Sequence, residues 1–357
     1  MKKILTVYTG GTICCASDGE KRNLSPALSK RALLADFAVS SSPFAGLSND
    51  LFEDSGLCEK NQTLSENITF SKLEYIVNHI KSFDFSKFSG IIVMHGTDTL
   101  AFTAALFSFV LRETDIPIML VSGNRPPSDP LSNAGANFRA AVDLILNSIA
   151  PNVYVPYKNS DGNMYLHFGN RLMQCTSFSE DFFSAPHRTG LLVNNGTLCE
   201  NDRNLCADFS NKRSRQETSD NEFTFVSDSV MLINPYTGLD YSHISLDGIK
   251  AVIHGTYHSG TVCVERNRED EKYSSHSIIY FAEKCKTADV PLFIAPCKLD
   301  DDQYSSTFDL SKNTGAFLLN MTTEAAYAKA ITAVSYCLCG TGLPLFMSLD
   351  LCGEIVD

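Results

Sequence analysis

The segment that most constrains this chain is Ile91-Ile92-Val93-Met94, then His95-Gly96-Thr97-Asp98-Thr99, then a nearly unbroken apolar run from Leu100 to Leu111. The first four residues show no polar alternation, so they read as a strand buried on both faces. Leu100 to Leu111 reads as a helix with very little polar surface, which other elements have to enclose. A strand and a helix that both need covering belong in a mainly parallel sheet with helices on both sides. The polar knot between them falls at the carboxyl end of its strand, where open α/β sheets bind ligands.

Further short apolar runs read as strands at 4–9, 117–122, 152–156, 190–194, 229–233, 249–254 and 291–295. Helical periodicity appears at 71–82, 99–112, 134–148 and 323–338, with Ser71 and Thr323 as candidate N-caps. The alternation predicts an α/β fold, and 357 residues predict two domains. The reading is a larger N-terminal domain over 1–195, mainly parallel and flanked by helices, and a smaller C-terminal α/β domain over 226–357. Residues 196–225, rich in Asn, Asp, Arg, Lys and Ser, read as a linker with a loop insertion.

A net charge of −12 argues against nucleic acid or an anionic membrane surface as partner, since both demand basic patches. The one basic cluster, Lys212-Arg213-Ser214-Arg215, reads as a solvated loop. No window has the apolar length of a membrane span, and Ile4 to Tyr8 is too short for the core of a signal peptide. A cytoplasmic protein with its 12 cysteines reduced is therefore expected. Neither Cys14-Cys15 nor Cys337-Leu338-Cys339 has zinc-ligand spacing, and His167, His243, His254 and His258 form no metal pattern, so no metal is expected.

The first strand ends in Thr9-Gly10-Gly11-Thr12-Ile13. Paired glycines permit a sharp turn and close backbone approach, leaving the Thr12 hydroxyl at a strand's carboxyl end. Thr97 and Asp98 occupy the same edge of their own strand. Two threonine hydroxyls and a carboxylate in one crevice suit nucleophilic attack on a carbonyl. Taken singly, Thr97 or Asp98 could instead cap the following helix. Gly10-Gly11 could be a phosphate turn, although the chain lacks both G-x-G-x-x-G and a Walker lysine. Val93-Met94-His95-Gly96-Thr97 is echoed by Val252-Ile253-His254-Gly255-Thr256, which reads as shared local geometry.

Together, Thr9 to Ile13 and His95 to Thr99 resemble the T-G-G-T-I and H-G-T-D-T motifs of the L-asparaginase/glutaminase family. The likeness extends to Asp54-Ser55, Ser122 to Pro126, Asn133 to Asn137, Gly169-Asn170-Arg171 and Met321 to Ala325. It implies a two-domain asparaginase-like fold that hydrolyses the side-chain amide of asparagine, or a related small amide, to a carboxylate and ammonia. Thr12 is then the nucleophile. Thr97 and Asp98 join it in catalysis, Asp98 also holding the substrate's α-amino group and Ser55 its α-carboxylate. Gly11 and Gly96 belong to the same substrate-binding set. The resemblance implies no cofactor, an amino-acid amide as ligand, and a homodimer or homotetramer.

Two residues depart from the family pattern. The lysine that follows G-N-R falls on Gln174, which can neither take a proton nor supply a positive charge. A tyrosine expected after T-G-G-T-I is missing, the matching positions being Arg22, Asn23 and Leu24, of which Arg22 alone could contact an anionic substrate. Three readings follow: a slow amidohydrolase using water or His95 as base, one shifted to another substrate, or a silent relative that binds an amino acid or acts as a subunit. Lys158 displaced into the lysine's role is a lesser alternative. So is the asparaginase-like subunit of a tRNA-dependent amidotransferase, which carries an extra amino-terminal domain.

Overall fold

The computed structural model describes residues 2–17, 21–186, 190–213, 224–226, 228–267, 272–297, 314–337 and 340–356, with 304, 306, 308 and 310. The chain divides into two units, Met1–Thr224 with Leu351–Gly353, and Phe225–Asp350 with Glu354–Asp357.

The first unit is built on a seven-stranded sheet. Its strands are β1 (Lys3–Tyr8), β4 (Phe52–Asp54), β5 (Phe88–Met94), β6 (Ile118–Val121), β7 (Val153–Lys158), β8 (Met164–Phe168) and β11 (Leu191–Leu192). They lie in the order β11-β8-β7-β6-β5-β1-β4. From β4 through β7 every pairing is parallel, while β8 pairs antiparallel with both β7 and β11. Two short hairpins are added, β2 (Cys15–Ser17) with β3 (Arg22–Leu24), and β9 (Leu172–Met173) with β10 (Phe183–Ser184).

The helices of this unit are α1 (Pro26–Ala38), α2 (Ser48–Leu51), α3 (Phe70–Lys81), α4 (Leu100–Val110), α5 (Ala134–Leu146) and α6 (Glu200–Lys212). Ten of the eleven residues of α4 are buried, as its uniform apolarity requires. Ile4, Ile92, Met119 and Val121 of the sheet share one core with Leu33 and Phe37 of α1 and Phe138 and Val142 of α5. The second unit holds a four-stranded parallel sheet, β12 (Val230–Ile233), β13 (Ala251–His254), β14 (Leu292–Ile294) and β15 (Phe317–Leu318). It carries α7 (Ile278–Thr287), α8 (Thr323–Ser335) and α9 (Gly342–Ser348).

Three local readings change. The N-caps are Thr69 and Thr322, whose side chains accept from Lys72 N and Ala325 N, rather than Ser71 and Thr323. Part of the stretch read as linker and loop, 196–225, forms α6, because Cys206 and Phe209 sit three apart and enter the core of the first unit. Residues 214–223 lie outside the described set. The basic cluster is not simply solvated: Arg213 is buried and donates to Leu111 O at 2.9 Å and Thr114 O at 3.1 Å, satisfying carbonyls just beyond α4.

Candidate active site

Strands β1 and β5 are parallel neighbours, with Tyr8 opposite Met94, so the turns that follow them emerge at one edge. Thr9 closes the junction, its N and Oγ1 donating to Met94 O at 3.1 and 2.6 Å. A third segment joins them, since Thr63 N donates to Thr9 O and Gly11 N to Thr63 O, both at 2.9 Å.

Glycine is what lets these segments touch. Gly10 and Gly11 hold φ of 124° and 74°, which side-chain-bearing residues rarely adopt. A Cβ at Gly11 would lie 2.1 Å from Gly96 Cα, and one at Gly96 would lie 2.3 Å from Ser65 Oγ. The two turns therefore meet backbone to backbone, and the residue after each contact is a half-buried threonine, Thr12 or Thr97. Thr12 opens a one-turn 3-10 helix, Thr12–Cys14.

Asp98 is held by a residue that the sequence alone does not single out. Ser65 Oγ donates to Asp98 Oδ2 at 2.9 Å, Asp98 N donates to Ser65 Oγ at 3.2 Å, and Thr99 Oγ1 donates to Ser65 O at 3.2 Å. Ser55 makes none of these hydrogen bonds to Asp98 or Thr99. Its N donates to Thr6 O at 2.9 Å, and its carbonyl accepts from His79 Nε2 at 3.1 Å. Thr12, Thr97, Asp98, Gly11 and Gly96 are thus gathered in one place, and the serine that joins them is Ser65. Its meeting with Asp98 spans 33 positions along the chain, which no local pattern marks.

Gln174 follows β9 and donates from Nε2 to Asp98 O at 2.6 Å. It reaches the aspartate as a neutral amide, and Asp98 makes no ion pair among the described residues. Lys158 ends β7 with an exposed side chain, its backbone bonded to Asn137 and Asn133, and no bond links it to Asp98. Arg22 and Leu24 lie exposed on β3. His95 is buried with Nδ1 2.8 Å from Gly96 O, and burial lowers its pKa to about 4, so the ring is neutral near pH 7. His254 repeats this contact with Gly255 O at 2.6 Å, so the sequence echo is a shared strand-end conformation. Asn124 and Asn133 brace the neighbouring turn, each backbone N bonded to the other's side-chain oxygen at 2.9 and 3.1 Å.

Residues 3–203 match the family described as asparaginase, N-terminal. The chain belongs to the asparaginase family. Among curated relatives, a glutamyl-tRNA(Gln) amidotransferase subunit of Methanosphaera stadtmanae is 26% identical over 93% of this chain and 72% of its own length. An L-asparaginase of Thermococcus kodakarensis is 32% identical over 43% of this chain, and the match spans only 44% of that protein. Two solved structures share the fold over the full length of the chain. The thermostable L-asparaginase of Thermococcus kodakarensis superposes with a TM-score of 0.71 at 19% identity, covering 99% of both chains. L-asparaginase I of Vibrio cholerae gives 0.69 at 21%, covering 100% of this chain and 99% of the other. Among the described residues of this asparaginase-family chain, no His, Cys, Asp and Glu cluster could hold a metal, and no helix is long and apolar enough to cross a membrane.

Proposed function

We propose that this crevice hydrolyses the side-chain amide of asparagine or a related small amino-acid amide, with Thr12 as nucleophile. The observation that carries the reading is the Gly11–Gly96 contact, which sets Thr12 and the Thr97-Asp98 pair at the carboxyl ends of adjacent parallel strands. Thr12 Oγ adds to the amide carbon, ammonia leaves with the proton it gains, and water then cleaves the Thr12 ester to release the carboxylate. Asp98 is suited to the substrate's ammonium group. Ser65, rather than Ser55, is suited to holding Asp98 and the substrate beside it.

The weak element is proton transfer. Gln174 cannot act as base, and His95 is a poor one with its pKa at about 4. Water is left to accept the Thr12 proton, and loss of a positioned base lowers rate by roughly 10²–10⁴. Slow turnover is expected. Purified protein at high concentration should release ammonia from asparagine faster than Thr12→Ala does, and equal rates would defeat this reading.

Gln174 also favours a second reading, a silent relative that binds an amino acid or serves as a subunit. The similarity to amidotransferase subunits is consistent with it. It predicts a raised melting temperature with aspartate or asparagine but no ammonia. In either case we place the protein in the cytoplasm as a homodimer or homotetramer, a state that analytical ultracentrifugation measures directly.

A further inference from the structure

The hairpin that follows Thr12 brings a cation to the crevice. Its register pairs Cys15 with Leu24 and Ser17 with Arg22. Alternate residues and their cross-strand partners share one face of an antiparallel pair, so Arg22 lies on the same face as Cys15. That face looks onto the turn that carries Thr12, because Cys15 Sγ donates to Gly11 O at 3.3 Å. The hairpin is braced from behind, with Ser25 N donating to Cys14 O at 2.8 Å and Ser29 Oγ to Cys15 O at 3.1 Å.

Two electrostatic effects agree with this placement. Burial pushes the Cys15 thiol up, and the Arg22 charge opposes that rise. Asp129, in the turn after β6, is held below the usual carboxylate range chiefly by Leu131 N, with Arg125 and Arg22 adding to the effect. Strand β5, with Thr97 and Asp98 beyond its end, lies between β1 and β6, so the guanidinium is felt on both flanks of the crevice.

Arg125 and Lys30 are already paired, with Asp129 at 3.3 Å and with Asp54 at 2.7 Å. Arg22 is exposed, and its side chain forms no hydrogen bond or ion pair among the described residues. Asp98 and Glu66 by themselves would repel an anionic ligand, and a free guanidinium offsets them.

We propose that Arg22 is a specificity-determining residue of this crevice, receiving a carboxylate of the ligand. The inference rests on the reading of the crevice as an amino-acid amide site, and it adds the charge class: amides that carry a free carboxylate, in preference to neutral ones. The planar fork of a guanidinium matches a carboxylate with two parallel hydrogen bonds, which a lysine at the same place would not reproduce.

Isothermal titration calorimetry with L-asparagine and with L-asparaginamide tests it. Both ligands keep the ammonium group, and only asparagine keeps the carboxylate. Arg22→Gln, at an exposed position without side-chain bonds, should weaken asparagine about tenfold and asparaginamide by no more than about twofold. Arg22→Lys should fall between, weakening asparagine by roughly threefold. Asparagine binding that Arg22→Gln leaves unchanged, or that falls equally for asparaginamide, would overturn the role of Arg22 alone. Absence of asparagine binding to the wild type would defeat the reading of the crevice itself and this inference with it.

Discussion

Ser65 and Ser55 differ in ways that only the folded chain reveals. Both stand among small polar residues, and Asp54-Ser55 carries the likeness to the family, but Ser65 meets the Asp98 carboxylate. Charge-assisted hydrogen bonds contribute about 1.5–3 kcal/mol. Ser65→Ala should therefore raise the apparent Kd for aspartate by about ten- to a hundredfold, whereas Ser55→Ala should change it less than threefold. Titration of both variants followed by thermal shift decides between them, and the reverse order would return the role to Ser55. Thr12, Thr97, Asp98 and Gln174 were legible because each stands in a compact motif. Ser65 was not, because its place beside Gly96 and Asp98 comes from contact across a loop.

Among elements, the long apolar ones were the easiest to read. Strands β1, β5, β6 and β13 and helices α3, α4, α5 and α8 announce themselves by burial. Helix α6 hides behind a polar sequence in which Cys206 and Phe209 alone are buried, with Arg171 stacked over Phe209 at 4.6 Å. Strand β4 is three residues of half-exposed chain whose pairing with β1 gives it order. Gly11→Ala should lower stability by more than about 2 kcal/mol, since φ is 74° and the methyl would fall on Gly96. Gly46→Ala, where nothing lies within 4 Å, is the control and should change little. Urea unfolding measures both. In α8, Lys329 is fully buried against Glu354 at 2.6 Å and also donates to Met347 O and Leu349 O. Glu354→Gln leaves a buried ammonium without its counter-charge and should destabilise by roughly 3–5 kcal/mol, while the Lys329→Met, Glu354→Leu pair should lose less.

For the molecule as a whole, three buried histidines set an acid limit. Burial lowers His95, His167 and His254 to about 4, 3 and 4. A histidine depressed in the folded state contributes stability that is full above its ordinary value near 6.5 and lost as pH falls toward the folded value. Melting temperature should therefore begin to fall below about pH 6.5, above the carboxylate range, and drop by roughly 10 °C by pH 4.5. A flat profile between pH 7.5 and 4.5 would contradict this. In the proposed hydrolase, Thr12, Thr97 and Asp98 keep the crevice while the neutral amide of Gln174 leaves it without a base. Ammonia release from asparagine by wild type, Gln174→Lys and Thr12→Ala in parallel tests it most directly. The expected result is slow release by wild type, a gain of about 10²–10⁴ for Gln174→Lys and none for Thr12→Ala. Fast release by wild type that Gln174→Lys leaves unchanged would contradict it.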